Sequence, residues 1–186
     1  MFIKRLFLIW AMVFWHAYLS FASFADVSAA GNPFLWGGQQ LDDLNGPNAD
    51  AIRSRYQPIL NAYPSLEACT KINLSEPHNK KLSIDDLQAM PNLETAEVCL
   101  FYDLGKVAGL DEKINSLTLL GFSEENRIAT SSGFSVNMSL SKKNGPKSYD
   151  TVFNNWLYRG LLLVLRLDAS VNITFIRLEP ISKIQF

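Results

Sequence analysis

Phe134-Ser135-Val136-Asn137-Met138-Ser139-Leu140 alternates apolar and polar side chains without interruption, the period of a strand with one buried face and one wet face. Such a strand needs neighbours beside it and an apolar layer over it, so the stretches on either side decide the fold. Downstream, Lys142 to Lys147 (KKNGPK) reads as a turn, because Asn-Gly favours left-handed backbone and Pro removes a ladder donor. From Tyr149 to Leu167 the signals compete. Val152, Trp156, Gly160 and Val164 fall on a helical face, whereas Leu161 to Leu167 is a continuous apolar run that suits a buried strand. The reading taken is a helix first and strand character from about Leu161, with Asp168-Ala169-Ser170 turning into a last strand, Val171 to Leu178.

Upstream, Ile52, Tyr56, Leu60 and Tyr63 lie near helical spacing behind Asn48 or Asp50 as N-cap, which predicts an amphipathic helix kinked or divided by Pro58 and ended by Pro64. Leu66, Ala68, Thr70, Ile72 and Leu74 alternate with polar residues and predict a strand. Ser83 with Asp86 three residues on has the form of a capping box, opening a short helix that finishes before Pro91. Thr95 to Tyr102 reads as a strand, residues 110–116 as a helical turn, and Ser116 to Phe122 as a short buried strand. No internal repeat is present. Helices and strands without regular βαβ alternation predict an α+β domain over residues 49–186, a mostly antiparallel sheet packed against a few helices. Residues 26–48, rich in Gly, Asn and Pro, read as an irregular N-terminal arm.

Residues 1–25 (MFIKRLFLIWAMVFWHAYLSFASFA) place Lys4 and Arg5 before an uncharged apolar run and then small residues, the order of a secretory signal peptide. Ser23-Phe24-Ala25 supplies small side chains for cleavage before Asp26. If residues 6–24 stay attached, they are about long enough to anchor the chain in a membrane. The expected location is therefore periplasmic or secreted. Removing Lys4 and Arg5 from the 17 basic residues leaves 15 against 18 acidic, a net charge of −3. A mildly acidic domain lacks the concentrated Lys and Arg that phosphate backbones require, so nucleic acid is not the expected partner.

Cys69 and Cys99 are the only cysteines in the chain, and in an oxidising compartment an even count predicts one disulfide. Closing a loop of that length is worth about 3–4 kcal/mol in the chain-entropy model. With paired strands around them, the two would form a cross-strand or strand-to-core link. Two cysteines and His78, without CxxC or HxxxH spacing, do not make a zinc site. Asp42, Asp43, Asn45, Asn48 and Asp50 surround Gly46 but omit the spacing of a calcium loop. No metal or other cofactor is expected.

No catalytic set assembles. His78 stands among Pro, Asn and Lys without a GxSxG elbow. The paired acids Asp42-Asp43, Asp85-Asp86, Asp111-Glu112 and Glu124-Glu125 are adjacent rather than facing across a cleft. Sequons begin at Asn73, Asn137 and Asn172, all within predicted strands. Phe34 and Trp36, large apolar side chains on a wet Gly-rich arm, are the candidate binding residues, with Trp156 and Tyr158 behind them. The bland reading of Phe34 and Trp36 is a strap that caps the core. The expectation is a small exported non-enzymatic protein that binds another protein in the cell envelope, as an inhibitor, immunity-type or accessory factor. A hydrolase would instead show a polar cleft with a raised-pKa acid. A carrier of lipid or small apolar ligands would show a cavity lined by Phe134 to Leu140 and Leu161 to Leu167.

Overall fold

The alternation in Phe134 to Leu140 does place that stretch in a sheet. A computed structural model describes residues 34–70, 81–141 and 158–182. Within them a two-residue hairpin, β1 (Leu35–Trp36) and β2 (Gln39–Gln40), is followed by helices α1 (Ala49–Ala62), α2 (Leu66–Cys69), α3 (Ile84–Gln88), α4 (Leu93–Gly105) and α5 (Leu110–Leu119). Four strands then complete an α+β fold: β3 (Ser123–Thr130), β4 (Gly133–Ser141), β5 (Tyr158–Asp168) and β6 (Ile173–Ser182), antiparallel in the order β3-β4-β5-β6.

The register aligns apolar rows on one face. Met138 pairs with Leu163 and Leu163 with Leu178, while Val136 pairs with Leu165 and Leu165 with Ile176. All six are buried. Full burial of such side chains is worth roughly 1.5–3 kcal/mol each, which makes this face the main source of cohesion. At the start of β4, Gly133 has φ +145°, and a Cβ there would stand 2.0 Å from the Leu167 carbonyl oxygen. Only glycine lets β5 approach this closely.

Helix α4 packs on β6, and α1 and α2 pack on α4. Thr95 to Leu104 are buried on every side, and Asn92 caps the helix by accepting the Thr95 N–H at 2.8 Å. This overturns the strand expected over Thr95 to Tyr102: a helix enclosed all round carries no apolar stripe, so its period is hidden. Leu66 and Cys69, one turn apart, are the buried residues of α2, so the strand expected from Leu66 is a helix as far as Cys69. Thr70 closes that helix as its C-cap, and residues 71–74 of the expected strand lie outside the described residues. The strand expected over Ser116 to Phe122 is the end of α5. Gly121 at φ +89° donates its N–H to the Thr118 carbonyl, and Phe122 donates to Leu117, a Schellman closure.

Cys69 and Cys99 form a disulfide (S–S 2.02 Å, Cα–Cα 5.8 Å). It joins α2 to α4, helix to helix rather than strand to strand. The capping box at Ser83 and Asp86 is present, with both reciprocal bonds made. Helix α1 continues through Pro58 instead of dividing, and Pro58 is exposed. Strand β5 has begun by Tyr158, earlier than expected, while residues 142–157, including the expected turn and helix, lie outside the described residues. Strand β6 runs past Pro180, which an outer strand tolerates.

Strand β3 was not expected. All eight of its residues are exposed, so no burial pattern marks it. Glu124, Glu125 and Arg127, with a register shift between Glu124 and Asn126, guard this edge against pairing with other chains.

Candidate functional site

Gly37 and Gly38 at φ +63° and +83° turn the arm into the β1–β2 hairpin, where the sequence suggested irregular chain. The Gly38 N–H donates to the Thr174 carbonyl at 2.8 Å, which fixes the hairpin to β6. Arg53 on α1 ties down the following turn by donating to the carbonyls of Leu41 and Leu44.

Phe34 and Trp36 consequently have different fates. Phe34 is 1% exposed, stacked on Tyr56 at 5.0 Å and tilted against Phe101 at 5.3 Å. Trp36 is half-buried between Tyr56, 5.1 Å away, and the edge of Phe175, 4.9 Å away. Two guanidiniums cover the aromatic rings: Arg177 lies over Trp36 at 5.9 Å and Arg166 over Phe175 at 5.2 Å. Arg166 and Phe175 are direct cross-strand partners, and Arg177 stands opposite Val164. Arg177 also pairs with Glu179 at 3.3 Å. Arg166 is exposed, while Phe175, Arg177 and Val164 are half-buried. The result is a patch on the face of the sheet opposite the core, with two cations, one carboxylate and two aromatic rings. Exposed cation–π contacts are worth about 0.5–1 kcal/mol and the surface ion pair less, so the patch is ordered without being a large source of stability.

Glu97 and Asp103 are buried acids inside the fold. Glu97 is 2% exposed, accepts the Leu178 N–H at 2.7 Å through Oε1, and is hydrogen-bonded to the Tyr56 hydroxyl through Oε2. Burial lifts its carboxyl to about 7, against the pull of those two bonds. Burial likewise raises Asp103, which accepts the Leu82 N–H at 3.1 Å, and pushes the Tyr102 phenol up to about 12. Both carboxyls accept backbone N–H groups, Glu97 from Leu178 and Asp103 from Leu82, and so join separate elements of the fold. Of the paired acids, Asp86 belongs to the capping box, and Asp111 and Glu124 both hold Arg127, at 2.8 and 2.9 Å. The side chains of Val136, Met138, Leu140, Leu161, Leu163, Leu165 and Leu167 are buried in the core.

Among the described residues no group of His, Cys, Asp and Glu is placed to hold a metal. Asp50 pairs instead with Arg53, and Asn45 donates to the Asp43 carbonyl. No described helix is long and apolar enough to cross a membrane. His78, Asn73, Trp156 and residues 1–33 lie outside the described residues. Arg166, Phe175 and Arg177 carried no signal in sequence, because the pairing that stacks them appears only once β5 and β6 are in register. Comparison with family models, with curated proteins and with solved structures found no match.

Proposed function

We propose that the chain is an exported, non-enzymatic protein that acts by binding another protein, as an inhibitor, immunity-type or envelope accessory factor, through the patch of Trp36, Phe175, Arg166 and Arg177. The observation that carries this reading is the pair of guanidiniums held over half-exposed aromatic rings on an ordered sheet face. Tryptophan, tyrosine and arginine are the residues that dominate protein interfaces, since they combine large apolar area with directional donors. The local excess of positive charge, on a chain that is acidic as a whole, favours a partner segment with Asp or Glu. Export is supported by the disulfide, which persists in oxidising compartments, together with the order of residues 1–25.

Charge reversal tests the reading. Arg166→Glu alters an exposed side chain, so the melting temperature should stay close to that of the wild type. The wild-type protein should co-purify one stoichiometric protein from its native envelope fraction, and the variant should lose it. Equal recovery by both proteins, or a wild-type protein that purifies alone, would refute the proposal.

A further inference from the structure

Away from the patch, an open pocket of about 270 Å³ is lined by Leu35, Phe101, Val107 and Val171 together with Lys113 and Asn172. Lys113, on α5, is 3% exposed. Its ammonium donates to the carbonyls of Leu104, at 2.7 Å, and Val107, where α4 ends. Two of its three N–H bonds are thereby used. None of the ion pairs among the described residues includes it, although the carboxylate of the adjacent Glu112, which lies over Gly109, acts on its charge. With two N–H groups on carbonyls and no carboxylate in direct contact among the described residues, the ammonium keeps one N–H for a further acceptor.

Part of the lining is preset. Val171 has φ +65°, a left-handed conformation that a β-branched residue adopts only under constraint. The constraint is visible: the Asp168 carboxylate accepts the N–H groups of Ser170 and Asn172 and the Asn172 side-chain amide, at 2.8 to 3.0 Å. Strain held in the same lining as a buried cation is a property of a binding site rather than of a packing defect.

We infer that this pocket binds a small monocarboxylate with a short apolar tail, its carboxylate on Lys113 and its tail against Leu35, Phe101 and Val171. Titration calorimetry of the whole protein with sodium hexanoate, and with hexan-1-ol as the uncharged comparison, reads this directly. Hexanoate should bind with a Kd below about 1 mM, and the alcohol at least about tenfold more weakly. Ala108→Trp, at an exposed lining position, should abolish hexanoate binding while the protein stays folded. Lys113→Met should remove the preference for acid over alcohol. Since that substitution also frees two carbonyls and can unfold the chain, the Ala108 variant stands as the independent test. Absence of hexanoate binding to folded wild-type protein, equal binding of alcohol and acid, or undiminished binding by the Ala108 variant would each overturn the inference.

Discussion

The Tyr56 hydroxyl and the Glu97 carboxyl, 41 residues apart in sequence, are hydrogen-bonded to each other inside the core. Because the same carboxyl accepts the Leu178 N–H, helix α1, helix α4 and strand β6 are tied at one point. The anchor is ionisable, so its contribution to stability depends on pH.

Glu97 titrates near 4.5 when unfolded and at about 7 when folded, with burial the cause. The folded state therefore holds its proton more tightly. Its stabilising contribution is complete below about pH 4.5 and is lost as pH rises through 7. Between about pH 5 and pH 8 the unfolding free energy should fall by up to about 3 kcal/mol, read by urea melts across that range. Asp103, also raised by burial, adds in the same direction. Glu67, held at about 2 by hydrogen bonds to Ser65 and Lys106, acts oppositely but below this window. Glu97→Gln should flatten most of the slope, and an unchanged slope in that variant would assign the effect elsewhere.

Tyr56→Phe removes the hydroxyl and leaves Glu97 Oε2 without that donor. The expected cost is about 1–3 kcal/mol at pH 8, where the carboxylate is charged, and less at pH 5. The midpoint of the pH dependence should move above 7, since the lost bond had favoured the charged form. A cost independent of pH would mean that the hydroxyl acts only through packing.

Reduction of the Cys69–Cys99 bond releases α2 from α4 across a separation of 30 residues. Thermal melts with and without reductant should differ by about 3–4 kcal/mol in stability. Intact mass under non-reducing conditions should show the loss of two hydrogens, whereas a fully alkylatable pair of thiols contradicts the bond.

Gly133→Ala places a Cβ 2.0 Å from the Leu167 oxygen at φ +145°. The strands must separate locally or the residue must change conformation, at a cost above about 2 kcal/mol. A melting temperature equal to that of the wild type would show that β4 and β5 are less closely apposed here.

What was legible in the sequence follows from one-sided burial. The clean alternation of Phe134 to Leu140 and the spacing of Tyr56 and Leu60 survive in the structure because contact with a single layer writes a period into the chain, and the Ser83 capping box survives because its hydrogen bonds are local to the helix start. Helix α4 shows no helical period in the sequence because Thr95 to Leu104 are enclosed on all sides, and β3 shows no strand period because none of its residues is buried. Both extremes erase periodicity. The patch was half legible. Trp36 stood out as a large residue on a glycine-rich arm, but Arg166 and Arg177 join it only through the β5–β6 register, and Phe34, chosen with it, lies in the core.

In the proposed function, Arg166 and its neighbours contact a protein partner. A photo-crosslinking amino acid placed at position 166, and separately at the exposed Asn115 on helix α5, reports contact in the cells that make the protein. Position 166 should give one discrete protein adduct, lost when Arg177→Glu is added, and position 115 none. No adduct from position 166, or the same adduct from both positions, would contradict it.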